Sequence, residues 1–254
     1  METSPEPWIA ALRNSHDRLL AVAGPLDLAE LEQMSYDTEW TIAQVLSHLG
    51  SQAEIFDLIM DAGLTGQEPP GRDAFPPIWD VWNAKDPQAQ ARDALAADET
   101  ALRRFESLDA GQRASLRLRA FGMELDLAGV SRMRLGEHAV HTWDVAVALD
   151  PDATVAPDAV ALLIDTIGPL VARSKPDGKQ RRLHVVTSDP ERHFILQTGD
   201  AVSLTEGDGS GLPELRLPAE AFLRLVYGRL DPAHTPVAAE SAEVAELRTL
   251  FPGF

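Results

Sequence analysis

The spacing of apolar residues predicts a helical N-terminal half. Ser4 followed by Pro5 is typical of a helix start, and the apolar residues after this pair keep helical spacing. Thr41 and Gln44 form a capping-box pattern before a second periodic segment, which we expect Gly63 to end. Two more periodic segments follow. The pattern therefore predicts four main helices, at about 5–22, 41–63, 87–107 and 131–149.

Prolines and glycines interrupt the chain between the second and third predicted helices. Pro69 and Pro70 are followed by Pro76 and Pro77, and this density of helix breakers predicts a long ordered connection over 66–87. Long ordered loops often border functional sites. We therefore expect this segment to lie near a site, although its composition identifies no substrate.

The pattern changes after the turn-rich sequence at 150–154. A helix is predicted over 157–173, and short runs with β-strand character follow it. Pro218 opens one more predicted helix, which ends at Gly228. The sequence thus predicts an α+β protein with a helical domain at 1–152 and a small α/β domain at 153–254. The predicted strands lie at 182–187, 194–198, 201–204 and 214–217.

Charge and composition exclude several classes of function. The 254 residues carry a formal net charge of -18, which disfavours nucleic acid and anionic membrane surfaces as partners. Cysteine is absent, so the chain has no disulfide, no thiolate ligand and no cysteine nucleophile. The N-terminus lacks the pattern of a secretory signal and no apolar run has the length of a membrane span, so we expect a cytoplasmic protein.

Glu137 and His141 are the first candidates for chemistry. They lie four residues apart, a spacing that places two helical side chains on one face, about 5–6 Å apart, where they can hold one ion. The same spacing is also common in simple surface ion pairs. His138 lies on a different side of the helix, so we treat it as structural or supporting and not as a ligand.

His48 favours a metal site over a simple surface ion pair. It follows Val45 and precedes Leu49 in the second predicted helix, at the edge of a buried stripe where an imidazole needs a polar partner. A single histidine there is usually a hydrogen-bonded core residue. Two histidines and a glutamate on facing helices instead match the three protein ligands of a catalytic metal site, with a position left open. We therefore predict one divalent metal bound by His48, Glu137 and His141.

Two stretches of sequence carry a resemblance to a known family. Trp40-Thr-Ile-Ala-Gln-Val-Leu-Ser-His48 and Arg134-Leu-Gly-Glu137-His-Ala-Val-His141-Thr-Trp-Asp144 resemble the mycothiol-dependent maleylpyruvate isomerase family. The resemblance implies a DinB-like four-helix bundle that holds a divalent metal through the matching His48, Glu137 and His141. It also implies a small C-terminal domain related to sterol carrier proteins, and it extends over nearly the whole chain.

Arg229 follows from the same resemblance. The sequence around Gly228 and Arg229 resembles the closing helix of the family's C-terminal domain, in which an arginine faces the active site. Such an arginine would bind a substrate carboxylate with two hydrogen bonds. A cation next to a C-terminal glycine is equally expected from the helix dipole alone, and the two roles are compatible.

The resemblance implies thiol chemistry. Isomerisation of a cis double bond is possible when a thiolate adds to it and later leaves, and a chain without cysteine must borrow that thiol, here mycothiol. The predicted function is a metal-dependent thiol transferase or isomerase that acts on a small electrophile, such as the unsaturated carboxylate maleylpyruvate. Zinc is the default metal, although iron, nickel or cobalt also suit two histidines and a glutamate.

Two alternatives come from other classes. The first is a non-catalytic metal-binding or ligand-carrying protein, whose site would be closed by a fourth ligand such as Gln44, His138 or Asp144. The second is a metal-assisted hydrolase, in which Glu54 or Asp144 would serve as base. The sequence gives no indication of the oligomeric state.

Overall fold

The computed structural model describes residues 4–36, 38–120 and 122–253, which form two compact units. Unit 1 is Met1–Ala153 and unit 2 is Thr154–Phe254. Helices dominate unit 1 and a four-stranded sheet lies in unit 2, so the predicted α+β class is confirmed. Within the described ranges, every helix is too short or too polar to cross a membrane.

Four long helices form the bundle of unit 1. Helix α1 contacts α7 and α5, and α3 contacts the same two helices, so the four close into a ring. The described helices are α1 (Glu6–Ala23), α2 (Leu28–Leu31), α3 (Ile42–Thr65), α4 (Pro76–Asn83), α5 (Pro87–Ser107), α6 (Ala110–Ser115) and α7 (Leu127–Leu149).

Capping residues set the ends of the two helices that carry the candidate ligands. The predicted capping box at the start of α3 is confirmed, since the side chains of Thr41 and Gln44 bond reciprocally to each other's backbone N–H groups. Gly66, with φ +66°, ends α3, so the prediction of Gly63 was wrong. Asp126 caps α7 by accepting from Gly129 N–H, which starts this helix four residues earlier than predicted.

The segment rich in proline is more regular than predicted. Pro76 and Pro77 occupy the first turn of α4, where the missing N–H groups have no helical partner in any case. The predicted long connection over 66–87 therefore contains a helix that was not predicted. A short hairpin of β1 (Arg117–Ala120) and β2 (Met123–Asp126) was also missed. Both elements contribute buried side chains to the core, Trp82 from α4 and Leu118 and Leu125 from the hairpin.

Two clusters of buried apolar side chains fill the two ends of the bundle. Along α3, Ile42 and Leu49 belong to one cluster and Ile55 and Met60 to the other. Along α7, Val130 belongs to one cluster and Val145 to the other. Between the residues of the two clusters, each long helix contributes a polar side chain to one hydrogen-bonded group, which consists of His16, Gln52, Asp98 and Arg134. The bundle therefore contains a polar layer between two apolar ends.

Unit 2 is a mixed sheet with helices. The strands lie in the order β5-β4-β3-β6, with β3 and β6 parallel and the other pairs antiparallel. The predicted helix over 157–173 is broken near Gly168 and Pro169 into shorter pieces. The described elements are α8 (Pro157–Leu163), α9 (Gly168–Val171), β3 (Arg181–Ser188), β4 (Arg192–Thr198), β5 (Ser203–Glu206), β6 (Glu214–Pro218), α10 (Ala219–Val226) and α11 (Ala242–Leu247).

Candidate metal centre

His48 lies near the N-terminal end of α3. The backbone around it is fixed on both sides, because Ser47 and Leu49 are fully buried. The side chain of His48 itself is 24% exposed to solvent. Its ring packs 5.2 Å from that of Trp40, measured between centroids, and this contact limits rotation of the imidazole. The imidazole of His48 therefore packs against Trp40 and is still reached by solvent.

Glu137 and His141 lie one turn apart in the middle of α7. The Glu137 side chain is 44% exposed, whereas that of His141 is 13% exposed. The same face of α7 thus offers a carboxylate near solvent and an imidazole deeper in the bundle. Because α3 and α7 are neighbours in the ring, this face meets the side of α3 that carries His48.

The three side chains converge on one point. Glu137 Oε2 lies 3.6 Å from His48 Nε2 and 3.7 Å from His141 Nε2. The two imidazole rings lie 4.8 Å apart with an interplanar angle of 74°. One ligand atom from each residue lies within 4.8 Å of the other two, and no second such group of three occurs in the described ranges. The structure therefore brings together the three predicted ligands.

A buried carboxylate orients His141. Asp144 is fully buried, and its Oδ2 lies 2.8 Å from His141 Nδ1. An ionised carboxylate only accepts hydrogen bonds, so Nδ1 carries the proton and Nε2 is the nitrogen that faces Glu137. A carboxylate behind a histidine is the usual support of a metal-ligating imidazole. Burial would lower the pKa of His141, but hydrogen bonds to Asp144 and Glu137 raise it above its usual value.

The charge states of Glu137 and His48 suit a cation. Burial would raise the pKa of Glu137, but hydrogen bonds involving His141, His48 and Gln52 hold it well below its usual value, so the carboxylate is ionised. Burial is the largest cause that lowers the pKa of His48, which is therefore neutral near pH 7. A neutral imidazole and an ionised carboxylate are the forms that bind metals.

The N-terminal unit matches one sequence family. Residues 12–146, just over half of the chain, match the family described as the mycothiol maleylpyruvate isomerase N-terminal domain. The chain belongs to the mycothiol maleylpyruvate isomerase family. This confirms the predicted enzyme family, and the matched range includes His48, Glu137 and His141. Among curated proteins, none matches the chain in sequence.

Solved structures of the isomerase share the fold. A crystal structure of the mycothiol-dependent maleylpyruvate isomerase is 15% identical to the chain, covers 95% of it and 96% of its own length, and has a TM-score of 0.68. A histidine-to-alanine mutant of that enzyme is 14% identical, with the same coverage and the same TM-score. At this identity the likeness establishes the fold alone.

His138 serves a different purpose from its neighbours in this family motif. Its Nε2 lies 2.7 Å from Asp98 Oδ2, and its Nδ1 lies 2.8 Å from Ser15 Oγ. Burial is the main cause that lowers the pKa of His138, so the ring is neutral, donates to Asp98 and accepts from the hydroxyl. His138 is thus hydrogen-bonded within the bundle, away from the three convergent side chains.

Two further polar residues of the isomerase-like bundle are engaged elsewhere. Gln44 Oε1 accepts from the N–H of Thr41 at 2.8 Å, as part of the cap of α3. Glu54 Oε2 accepts from the indole N–H of Trp82 at 2.9 Å. Neither contact directs the side chain toward His48 or His141.

Arg229 lies in unit 2, just after α10. It is 7% exposed, and its Nη1 donates to the carbonyl of Tyr227 at 2.8 Å. Tyr227 ends α10, so this bond satisfies a carbonyl at the helix C-terminus. Gly228 has φ +72°, and the backbone of Gly253 lies where its Cβ would be, so the turn requires glycine. The structure therefore shows Arg229 in the capping role that the helix dipole alone predicts.

The sequence analysis did not identify Gln52, Arg134 and Asp98, which form a chain of hydrogen bonds that leads to Glu137. Gln52 lies four residues after His48, and Arg134 lies three residues before Glu137, so both helical spacings were available as signals. Asp98 lies on α5 with no local pattern that separates it from a surface acid. Only the packing of the bundle shows that it is buried.

Proposed function

We propose that the chain is a metal-dependent enzyme that uses mycothiol as co-substrate. The observation that carries the proposal is the convergence of His48, Glu137 and His141 inside the region that matches the family. The proposed reaction is isomerisation of a small unsaturated carboxylate such as maleylpyruvate, or transfer of the thiol onto a related electrophile.

The donor set fits a divalent metal. Two imidazole nitrogens and one carboxylate oxygen are the ligands of many catalytic zinc sites, and iron, nickel or cobalt accept the same set. Of the residues proposed from sequence as a fourth ligand, Gln44 is bonded to a backbone N–H, His138 to Asp98, and Asp144 to His141. These contacts support an open position for substrate and argue against a closed structural site.

The chemistry requires a thiol from outside the chain, because the sequence has no cysteine. A thiolate adds to one carbon of the conjugated double bond and the π electron pair moves onto the carbonyl. Rotation about the new single bond and loss of the same thiolate restore the double bond in the other geometry, with the thiol regenerated. A bound divalent metal supplies Lewis-acid polarisation of an oxygen or a lower pKa for a coordinated thiol.

The protein's own residues would hold and orient the reactants. Asp144 keeps His141 in the tautomer that presents Nε2. Arg229 is proposed to bind a substrate carboxylate, on the strength of the family motif around it. A guanidinium has five N–H donors, so the bond from Arg229 to Tyr227 is compatible with this second role.

The test combines metal content with activity. We expect about one ion per chain in the purified wild type and loss of most of it in His48→Ala, Glu137→Ala and His141→Ala. Mycothiol-dependent isomerisation of maleylpyruvate should fall in parallel. The matched controls Glu32→Ala and His193→Ala change exposed residues outside the group and should keep both properties.

The outcomes separate the proposal from its rivals. Full metal retention in all three ligand variants would overturn the assignment of the site. Turnover of an ester or amide without added thiol would indicate a hydrolase. Stoichiometric metal without turnover of any unsaturated carboxylate or thiol-reactive electrophile would indicate a non-catalytic metal protein.

A further inference from the structure

Gln52 is the side chain that contacts Glu137 from behind. It lies one turn after His48 on α3, and its Nε2 is 2.8 Å from Glu137 Oε2. This is the same oxygen that lies 3.6 Å from His48 Nε2 and 3.7 Å from His141 Nε2. The Gln52 amide therefore donates to the same Glu137 oxygen that lies between the two imidazoles, and this bond restricts the orientation of the carboxylate.

The orientation of the Gln52 amide is set by Arg134. Arg134 Nη1 lies 2.9 Å from Gln52 Oε1, and a guanidinium can only donate. The amide oxygen must therefore face Arg134, which turns the NH2 group toward Glu137. The reverse orientation would place two sets of donors together and leave the carboxylate facing an amide oxygen.

Arg134 is itself held rigidly. It is 2% exposed, and its Nη2 donates to Asp98 Oδ1 at 2.7 Å and to the carbonyl of Leu49 at 3.1 Å. The guanidinium plane is thus fixed by partners on α5 and α3, while its own backbone belongs to α7. A planar fork with several bonds has little freedom to rotate.

Asp98 anchors the far end of this chain of contacts. It is 4% exposed, and its Oδ2 lies 2.7 Å from both His16 Nδ1 and His138 Nε2. Burial would raise the pKa of Asp98, but His138 and Arg134 hold it well below its usual value, so the carboxylate is ionised. Partners on α1 and α7 therefore hold a carboxylate of α5.

These contacts make up the polar layer between the two apolar clusters, and they connect all four long helices. We infer that Gln52, held by Arg134 and Asp98, is a positioning residue that orients Glu137 as a metal ligand. The inference rests on the proposed metal site. The hydrogen bond from Gln52 favours the ionised form of the Glu137 carboxylate. It also holds the carboxylate oxygen between the two imidazoles in the metal-free protein.

If Gln52 only stabilised the bundle, the effect of replacing it would be different. If the network only tied the helices together, then loss of the Gln52 amide would lower the unfolding temperature and leave metal affinity unchanged. If Gln52 positions Glu137, its loss would weaken metal binding much more than it changes the metal-free fold. The two readouts must therefore be measured on the same variants.

The test is a competition titration of Zn²⁺ against a chromophoric chelator, with thermal unfolding of the metal-free protein measured alongside. Gln52→Leu removes the amide and keeps a similar volume, and we expect its Zn²⁺ dissociation constant to rise about 10–100-fold. Arg134→Lys, which cannot bridge Gln52 and Asp98 in the same way, should show a rise in the same direction. Gln88→Leu makes the matched change at an exposed position of α5 and should bind as wild type does.

Each outcome decides the inference. A raised dissociation constant with an unfolding midpoint close to that of wild type supports positioning by Gln52. Wild-type affinity in Gln52→Leu, together with loss of metal in His141→Ala, would overturn the positioning role and leave the metal site intact. Failure of the wild type to bind Zn²⁺ with useful affinity would overturn the metal site and the positioning role with it.

Discussion

The buried carboxylate of Asp144 lies 2.8 Å from Nδ1 of His141, one turn further along α7. This contact decides which nitrogen of the imidazole faces Glu137. Asp144 offers the ring two acceptor oxygens, whereas an amide in the same place would offer one acceptor and one donor group. The relationship therefore predicts that charge at position 144, and not size, controls the candidate site.

Asp144→Asn should weaken metal binding with little change in shape. The amide can donate to Nδ1, which would move the ring proton to Nε2 and block the nitrogen that faces Glu137. We expect the metal dissociation constant to rise about 10–100-fold, as measured by chelator competition. The exposed control Asp80→Asn should have no effect. Equal affinity in Asp144→Asn and wild type would show that Asp144 does not select the tautomer.

Asp98→Asn should be the most destabilising single change in the polar layer. It removes the charge that faces Arg134 and leaves a buried guanidinium without its carboxylate. Breaking such a buried pair costs about 3–5 kcal/mol of unfolding free energy, measurable by urea denaturation of the metal-free protein. Glu124→Gln breaks an exposed pair with Arg119 and should cost less than about 1 kcal/mol. Similar losses in the two variants would contradict the buried role of Asp98.

His138 predicts a dependence of stability on pH. Its folded pKa is lowered, chiefly by burial, so the unfolded chain takes up a proton on this residue at a higher pH than the folded protein does. The contribution of His138 to stability is therefore present above its usual pKa of about 6.5 and is lost as the pH falls through the folded value.

The measurement compares wild type with His138→Gln, both without metal. Glutamine can donate to Asp98 and accept from Ser15 but does not titrate, so the unfolding free energy of this variant should fall less between pH 7 and about pH 5. Because other titrating groups are common to both proteins, the difference between the two slopes isolates His138. Parallel slopes would show that its folded pKa is not lowered.

The candidate ligands could be proposed from sequence because Glu137 and His141 have a local helical spacing and His48 lies in a recognisable helix. Glu137 and His141 share a helix face, and His48 lies on a helix that begins at a recognisable capping box. The helix at Pro76 was missed because proline was treated as a breaker, although the first turn of a helix tolerates it well. In that case the sequence signal was present and was interpreted wrongly.

The polar layer had no such signal. His16, Asp98 and Arg134 lie on three different helices, far apart along the chain, and each type of residue is common on helix surfaces. Their burial depends on how the helices pack in the ring, which local periodicity does not specify. Charged residues that pair across a bundle can therefore be identified only after the helix order is known.

The close packing of α3 against α4 and α5 predicts that a glycine-to-alanine change in a helix will lower stability, where it normally raises it. Gly50 lies in the interior of α3, where alanine normally stabilises a helix by about 0.5–1 kcal/mol. A Cβ at this position would lie 2.3 Å from the Trp82 ring and 3.0 Å from Cα of Ala94. Trp82 is buried and donates to Glu54, so its ring cannot move away freely.

Gly50→Ala should therefore destabilise the protein, by about 1–3 kcal/mol, because the added methyl overpacks this contact. Urea denaturation would measure the loss. Gly168→Ala at the start of α9 serves as the control, because the nearest atom to its Cβ would be the carbonyl oxygen of Leu204 at 3.6 Å, an ordinary contact. This control should change the unfolding free energy by less than about 1 kcal/mol. Because Gly50 lies two residues after His48, a shift of α3 should also reduce metal affinity. A stabilising effect of Gly50→Ala would show that the contact with Trp82 relaxes more easily than its burial indicates.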